Sequence, residues 1–334
     1  MKKSLIYLFS LLCMLTLVTS CSDDEKGGTD DAWKEISKDY TSDKLSIGTV
    51  STSGTISVNA ASADKATIIL NNVVAGESSV SVDATLTKTD AGYAFEGEST
   101  ATTCNVKVSG TIENGKLTAA ISRTLTSALA GTLNLNYVPY MNDMQIAQAH
   151  ARFNTGDAQM DAMLNGMAAP VVGQLIAKEV ESVTVNLGEE GTFSFSFKKV
   201  GASEETVMPP AKLQEMIKSY LTWYERENVL YLAVHKDALT ILSGLNILPE
   251  NIDLETILGL LTVEGDYYTL PLQVKEEDGL TTIYLNKDIL VKAWEVAKPL
   301  VGNIQDETIQ SILAMVDQVM AKAKEIEFGL VFKK

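Results

Sequence analysis

The sequence predicts two domains: an all-β N-terminal domain with the strand pattern of a small barrel, and a C-terminal α+β domain. Serine and threonine supply 28 of residues 42–138, against 19 of residues 139–334. Apolar and polar residues alternate through the first segment, as in half-buried strands, whereas the second segment adds stretches with helical spacing. The chain has 334 residues, which is long enough for two hydrophobic cores.

The first 20 residues predict a signal peptide that ends at a lipidated cysteine. Lys2 and Lys3 precede an apolar run from Leu5 to Val18, which is shorter than the roughly 20 residues of a membrane-spanning helix. A basic start, a short apolar run and small residues before a cut site are typical of secretory signals. The stretch Leu17-Val18-Thr19-Ser20-Cys21 resembles the bacterial lipobox, in which the cysteine carries lipid and becomes the new N-terminus. We therefore expect lipidation of Cys21; the alternative is an ordinary signal peptide beside a chance cysteine.

Residues 21–41 are predicted to form an acidic tether. The stretch "SDDEKGGTDDAWKEISKDY" (22–40) is rich in acids and glycine and has no apolar period, as expected of a flexible linker. Its clustered acids could hold a divalent cation only weakly, because a calcium loop needs six or more oxygens in a fixed array. We therefore expect a solvated spacer and no metal site.

Charge and cysteine content restrict the partners and the redox chemistry. The net charge of −16 becomes −18 when Lys2 and Lys3 leave with the signal peptide. Such a chain lacks the basic patch that binds nucleic acid, and attachment to an anionic membrane would depend on acyl chains. Of the three cysteines, Cys13 leaves and Cys21 carries lipid, so only Cys104 remains and no intrachain disulfide is expected. Cys104 is in phase with inward valines and is predicted to be a buried small hydrophobe.

The first domain, residues 42–138, is predicted to be an eight-stranded up-and-down barrel, with a sandwich as the alternative. In "SSVSVDATL" the residues Val80, Val82, Ala84 and Leu86 share one face. Asn114-Gly115 is a strong signal for a tight hairpin, because both positions of the turn favour positive φ. A small barrel is either filled by its own side chains or holds one small ligand, and the sequence leaves both open. The predicted strands are 43–49, 54–60, 65–71, 78–86, 92–99, 104–112, 116–124 and 131–137.

Four stretches of this domain carry a resemblance to a known family: "YTSDKLSIG", "KATIILNNV", "YAFEGES" and "CNVKVSGTIENGKLTAAIS". They resemble the calycin-like (lipocalin-like) β-barrel domain of Bacteroides-type lipoproteins, most clearly from Val108 to Ala119. That family is of unknown function, so the resemblance implies a calycin-like barrel and supplies no catalytic residue. With the lipobox and the acids after Cys21, the chain resembles surface lipoproteins of gut Bacteroidales. This resemblance implies a lipid anchor in the outer membrane and display at the cell surface.

The second domain, residues 139–334, is predicted to be an antiparallel sheet with helices on one face. Residues 157–180 have apolar residues at helical spacing, although Pro170 should kink or split that helix. A hairpin follows at 181–199, then a helix near 211–222 and a strand at 229–234. Asp253 is the expected N-cap of a short helix. Strands at 267–274 and 281–285, helices at 287–301 and 306–323, and a last strand at 325–332 complete the domain.

A search for chemical motifs yields no catalytic, cofactor or metal site. His150 and His235 have no second metal ligand at the usual spacing and are predicted to be structural. No nucleophile elbow, phosphate loop, dinucleotide fingerprint or zinc-protease motif is present in the sequence. Three paired carboxylates, Glu189-Glu190, Glu204-Glu205 and Glu276-Glu277, fall in predicted turns, whereas a glycosidase needs two carboxyls held across a cleft.

The strongest candidate for ligand binding is "YLTWYERENVLYL" (220–232), which concentrates aromatic rings beside charged groups. Tyr220, Trp223, Tyr224 and Tyr231 would suit a sugar or another small ligand. The alternative is a helix-to-strand corner packed into the core. The methionines at 160, 163 and 167 could likewise line an apolar pocket, but core packing is the favoured interpretation.

These observations favour a lipid-anchored, non-enzymatic surface protein that binds a small molecule, a glycan or a protein partner. Two other functions are compatible with the sequence. One is a surface glycan hydrolase whose carboxylates lie unrecognised in 139–334, and the other is a structural subunit of an outer-membrane complex.

Overall fold

A computed structural model of the chain describes residues 32–334, apart from 49, 211–212, 214–215, 218, 244–253 and 302–306. The predicted signal peptide, the predicted lipidation site Cys21 and the first part of the predicted tether lie outside the described residues. Among the residues that are described, no helix combines the length and the apolar character needed to cross a membrane.

The first half of the chain forms a nearly closed, barrel-like sheet, which confirms the predicted all-β character of this region. After a short helix α1 (Ala32–Glu35), eight strands pair in the order β1-β3-β4-β5-β6-β7-β8-β2. The two edge strands are consecutive in the chain, so residues 39–47 bridge the gap between β3 and β8. The strands are β1 (Asp39–Tyr40), β2 (Leu45–Ile47), β3 (Thr55–Ser62), β4 (Lys65–Asn71), β5 (Ser79–Lys88), β6 (Gly92–Thr100), β7 (Cys104–Glu113) and β8 (Lys116–Leu125).

The interior of the barrel is filled by its own side chains. Strand β5 alternates exposed and buried residues as predicted, and Ile56, Ile68 and Leu70 are fully buried. Cys104 is also buried, as its phase in the sequence predicted. Asn114 and Gly115 form the β7–β8 turn with φ of 51° and 74°, the positive values that a two-residue hairpin requires. Core packing therefore accounts for the inward residues of this sheet.

Two details of the strand pairing around the barrel differ from the prediction. Residues 131–135 of the predicted eighth strand, 131–137, pair within the second sheet, and β1 and β2 take the place of that strand in the barrel. Alternation of apolar residues shows which face of a strand is buried but does not identify its partner strand. The predicted tether, 21–41, also extends too far, because Tyr40 is 0% exposed and its hydroxyl donates to the Ile36 carbonyl oxygen. Two apolar side chains in a mostly polar stretch are enough to join this segment to the core.

The second half forms an 11-stranded sheet with helices, whose main path is β15-β14-β13-β9-β21-β20-β19-β17-β16. Two further strands, β12 and β18, pair with β21 and β19. The strands are β9 (Gly131–Leu135), β10 (Tyr137–Pro139), β11 (Gln145–Ala147), β12 (Ala149–Asn154), β13 (Val180–Leu187), β14 (Phe193–Lys199), β15 (Thr206–Met208), β16 (Leu221–Arg226), β17 (Val229–His235), β18 (Thr262–Glu264), β19 (Tyr267–Glu277), β20 (Leu280–Asn286) and β21 (Glu325–Lys333). Strands β10 and β11 form a separate hairpin.

Helices cover one face of this sheet at β12 and β21. Val319, Ala323 and Ile326 form a buried cluster, against which Phe153 and Leu164 pack together with Leu290 and Met320. The remaining helices are short. The helices are α2 (Ala158–Glu179), α3 (Asp237–Ser243), α4 (Leu254–Leu258), α5 (Lys287–Val301) and α6 (Glu307–Lys322).

Helix α2 differs from its prediction in two respects. It runs unbroken through Pro170, and its methionine stripe is not core. Met163, Met167, Val171 and Leu175 are all exposed, with Met167 reaching 60%. These residues recur every fourth position and so share one side of the helix. The helix is apolar on most of its circumference, so spacing alone could not tell which side the sheet would cover.

The predicted helix near 211–222 is wrong at its C-terminal end, because Leu221 begins strand β16. Asp253, the predicted N-cap, lies outside the described residues, whereas the hairpin predicted at 181–199 is present as β13 and β14. Both sheets belong to one unit that extends from Trp33 to Lys334. The division into domains at residues 138 and 139 stays a prediction.

Candidate functional site

The predicted aromatic cluster lies on the β16–β17 hairpin. Tyr224 and Tyr231 are directly opposite each other across the two strands, with ring centroids 4.9 Å apart and planes inclined by 12°. The turn between the strands is Glu227-Asn228, and both residues have positive φ. The sequence suggested a helix-to-strand corner here because Glu-Asn is a weaker turn signal than Asn-Gly or Asp-Gly.

Two members of the cluster are buried. Trp223 is 0% exposed, and its indole N–H donates to the Gly188 carbonyl oxygen at 2.9 Å. Tyr224 is 1% exposed, and its hydroxyl donates to Glu264 Oε2 at 2.6 Å. Burial, followed by the bond to Glu264, raises the pKa of Tyr224. These contacts support the core-packing interpretation of both side chains.

The Tyr224 ring is enclosed by the chain, since it is only 1% exposed and has two close neighbours. Tyr231 stacks against the ring. Gly76 also packs against it, since a Cβ on Gly76 would lie 2.7 Å from Cδ2 of Tyr224. Tyr220 contacts the His235 ring at 6.2 Å between centroids. In this conformation Tyr224 therefore offers no free face for a ligand to stack on.

A small cleft of about 130 Å³ lies beside Tyr224, between the β4–β5 loop of the barrel and the second sheet. Arg226 donates to Glu264 Oε1 at 3.1 Å, and its guanidinium lies 5.0 Å from the Tyr231 ring centroid. Because Glu264 also accepts from Tyr224, the polar groups of this cleft are largely paired with one another. The cleft is lined by Asn72, Val74, Ala75, Gly76, Glu77, Ser78, Tyr224, Arg226, Glu264, Gly265, Asp266 and Tyr267.

The barrel and the second sheet are joined by Arg123, near the end of β8. Its guanidinium donates to the carbonyl oxygens of Ala75 at 2.7 Å and Trp223 at 3.0 Å, and to the Thr222 hydroxyl. Burial lowers the pKa of Arg123. Hydrogen bonds to a charged donor are stronger than neutral ones, so Arg123 fixes β16 against the barrel.

Two carboxylates of the second sheet hold the barrel loop before β3. Asp237 accepts from the backbone N–H and hydroxyl of Ser51 at 2.8 and 2.7 Å. Asp266 accepts from the same two groups of Ser53, both at 2.7 Å, and also from Lys236. Burial raises the pKa of each carboxyl, but these hydrogen bonds outweigh it and hold both pKa values below their ordinary range. We refer to the contacts of Arg123, Asp237 and Asp266 as the junction.

His235 lies beside the junction and is 2% exposed. Its Nδ1 accepts from the Asp237 backbone N–H at 3.2 Å, and its ring meets Tyr267 edge to face at 5.1 Å. Burial lowers the pKa of His235 against the opposing effect of the neighbouring carboxylates. These contacts agree with the structural role that the sequence predicted.

A second polar cluster, which no local sequence pattern indicates, lies elsewhere on the second sheet. His150 Nε2 lies 2.8 Å from Glu327 Oε2, and Arg152 donates to Glu327 Oε1 at 3.0 Å. The ring of Tyr284 lies 5.2 Å from that of His150. These residues come from three strands far apart in sequence, so only the pairing of β12, β21 and β20 brings them together. We call His150, Arg152, Tyr284 and Glu327 the sheet-face patch.

The carboxylate pairs of the sequence lie near strand ends, and several are engaged. Glu205 accepts from Ser196 at 2.8 Å, and Glu277 pairs with Lys275 at 2.6 Å. Within the described part of the chain, no group of three or more histidine, cysteine, aspartate or glutamate side chains could hold a metal ion. These contacts do not test the alternative function of glycan hydrolysis, which stays a hypothesis.

A scan against protein-family models found no match, and searches of curated proteins and of solved structures found no significant similarity. The barrel-like sheet is consistent with a calycin-like domain, and the resemblance itself stays a prediction from the sequence.

Proposed function

We propose that this chain is a lipid-anchored, non-enzymatic surface protein of the outer membrane, in which the barrel is a spacer and the second sheet binds the ligand or partner. The observation that carries the proposal is that the N-terminal segment and the second sheet meet opposite ends of the barrel. In this proposal, the lipobox-like residues around Cys21 carry the lipid anchor, and the acids after them act as the signal for export to the cell surface.

The entry end of the barrel is defined by strand pairing. The turns at 63–64, 89–91 and 114–115 all lie at one end, since β3 to β8 alternate in direction. Ser37 accepts a hydrogen bond from the Ala60 backbone N–H at this end. The Lys38 amine lies 3.8 Å from where a Cβ on Gly115 would be. The N-terminal segment therefore reaches the barrel at these turns.

The other end of the barrel carries the junction. Ser51 and Ser53, Gly76 in the β4–β5 loop and Arg123 near the end of β8 all contact the second half of the chain there. Strand β5 has ten residues, so the barrel is about 25 Å long for a rise of about 3.3 Å per residue and a tilt of 35–45°. We propose that a short tether from Cys21 holds this entry end of the barrel nearer to the membrane than the second sheet.

Because its interior is packed with side chains, the barrel is better suited to act as a spacer than to carry a ligand. Its inward positions are occupied by fully buried side chains such as Ile56, Ile68 and Leu70. The junction hydrogen bonds would keep the second sheet in a fixed orientation on this spacer. Binding is accordingly assigned to the second sheet.

The anchor is tested by a pair of cysteine substitutions in the full-length chain. Cys21→Ala should abolish lipidation and release the protein from the membrane fraction. Cys13→Ala is the matched control, because Cys13 lies in the predicted signal peptide and should leave retention unchanged. Membrane retention of the Cys21→Ala protein after a high-salt wash would contradict the proposal.

Surface display needs a separate measurement. Protease added to intact cells should digest the wild-type protein, while a periplasmic marker stays intact. Protection of the protein in intact cells, with digestion after lysis, would show that the anchor faces inward and would overturn surface display.

A subunit role in an outer-membrane complex is favoured by one observation, the exposed apolar side of α2. Exposed apolar residues in a contiguous row are a feature of protein-binding surfaces. A photo-crosslinker at Met167 should capture a membrane protein in cells if this role holds, whereas one at the exposed Asp90 of the barrel should not. Equal crosslinking at both positions would contradict it.

A further inference from the structure

The sheet-face patch lies on the face of the second sheet opposite the helices. On β12, His150 and Arg152 are opposite Gly329 and Glu327 of β21, and Tyr284 of β20 pairs with Gly329 from the other side. Residues that alternate with these, such as Phe153 and Ile326, pack against the helical cluster. Because side chains alternate between faces along a strand, the patch is directed away from the helices.

Gly329 brings the two rings of the patch together. A Cβ on this residue would lie 2.1 Å from the Ile283 carbonyl oxygen and 2.5 Å from Cβ of Tyr284, so only glycine fits. The close approach at Gly329 leaves the His150 and Tyr284 rings 5.2 Å apart between centroids, with their planes inclined by 51°. The His150 and Glu327 side chains retain 27% and 22% exposure, and Arg152 retains 59%.

The patch presents donors and acceptors side by side. Glu327 accepts from Arg152 through Oε1, and its Oε2 lies 2.8 Å from Nε2 of His150. The Arg152 guanidinium has five N–H donors and uses only some of them on glutamate. Among the described residues, the Tyr284 hydroxyl has no hydrogen-bond partner. A sugar hydroxyl both donates and accepts, so this alternation matches adjacent hydroxyls of a pyranose.

The charged groups around the patch favour a neutral carbohydrate over an acidic one. Glu325 lies 3.7 Å from Arg152, and Lys275 is paired with Glu277. The cations around the patch are thus each matched by carboxylates, on a chain whose net charge is −16. An acidic sugar would meet repulsion from Glu327 and Glu325, whereas a neutral one would not.

We infer that the sheet-face patch binds a neutral carbohydrate, with Tyr284 and His150 against the sugar ring and Arg152 and Glu327 on its hydroxyls. The inference rests on the proposed function, since it names the ligand class of the displayed second sheet. Tyrosine suits this role because its ring supplies apolar area and its hydroxyl a hydrogen bond.

The test uses the full mature chain with Cys21→Ala, which is soluble if the anchor is correct, and a panel of neutral and acidic oligosaccharides. Glu327→Gln keeps the shape of the side chain and Arg152→Gln removes the guanidinium; each should weaken binding about tenfold or more, the effect of losing a charge-assisted hydrogen bond. Lys198→Gln is the matched control, because Lys198 pairs with Glu181 elsewhere on the second sheet at 2.9 Å. It should change affinity less than about twofold.

Binding of neutral sugars that is lost in both patch variants and kept in the control supports the inference. No binding of any neutral sugar, binding of acidic sugars alone, or equal affinity in all variants would overturn it. The display experiment on intact cells is independent of these results. A displayed protein that binds no neutral sugar contradicts the ligand class, and a protected protein contradicts the proposed function.

Discussion

Substitution of Asp266 by asparagine should weaken the junction without changing its shape. The Asp266 carboxylate is 4% exposed as a side chain and accepts three hydrogen bonds, two from Ser53 and one from Lys236. Asparagine keeps one acceptor oxygen and turns the other into a donor, which then faces another donor. A hydrogen bond to a charged group is worth about 1.5–3 kcal/mol. We therefore expect the free energy of unfolding to fall by about 2–3 kcal/mol.

The assay is urea unfolding followed by tryptophan fluorescence, which reports on the junction because Trp223 is buried beside it. Asp83→Asn is the control, since Asp83 is exposed on the barrel and accepts only a 3.3 Å bond from Thr67. Its effect should stay within about 0.5 kcal/mol. If Asp266→Asn is as mild as the control, the junction does not hold the two sheets as described.

The stabilisation that the Asp266 carboxylate contributes should depend on pH in a defined direction. The folded pKa of Asp266 is lowered, so its stabilisation is present above the unfolded aspartate pKa of about 3.9 and is lost as pH falls through the folded pKa. The difference between wild type and Asp266→Asn should therefore be constant from about pH 5 to 8 and shrink below about pH 4. A difference that grows on acidification would contradict this assignment.

Two further pairs of substitutions test packing. Gly76 has φ +87° and packs on Tyr224, whereas Gly201 has φ +77° with open space around it. In urea unfolding, Gly76→Ala should lower the free energy of unfolding by about 1–3 kcal/mol more than Gly201→Ala does. Equal losses would refute the close contact. Met167→Ala should change stability by less than about 0.5 kcal/mol because Met167 is 60% exposed. Leu164→Ala should cost about 1–3 kcal/mol because Leu164 packs on the helical cluster, and the reverse order would place the wrong side of α2 against the sheet.

Local patterns predicted most of the strands, because alternation is set by residues two positions apart. Strand β5 has the predicted faces, and Asn114-Gly115 forms the predicted turn. The errors concern long-range pairing. Residues 131–135 alternate like a barrel strand, but β9 lies between β13 and β21 because Leu133 and Leu135 are buried there. Nothing within a strand specifies which partner it will meet.

The candidate sites show the same limit. Tyr224 and Trp223 cluster in sequence, yet burial and internal hydrogen bonds occupy them, which no local pattern reveals. The sheet-face patch has the opposite character, since His150 and Glu327 are 177 residues apart and meet only through strand pairing. The exposed side of α2 was also unpredictable, because the spacing of apolar residues does not show which side is buried when a helix is apolar on most of its circumference.

The direct test of the spacer account is the distance of each end of the molecule from the membrane. Asp90 lies in the β5–β6 turn at the entry end of the barrel. Glu204 lies in the β14–β15 turn, at the opposite end of β14 from residues 188–191, where the carbonyl oxygens of Glu189 and Gly191 accept from the backbone of Leu125 and Trp223. Both side chains are exposed and Cys104 is buried, so Asp90→Cys and Glu204→Cys each accept a single dye. With an energy acceptor in the lipid headgroups of reconstituted vesicles, the account predicts strong transfer from position 90 and weak transfer from position 204. Equal transfer, or stronger transfer from position 204, would contradict it.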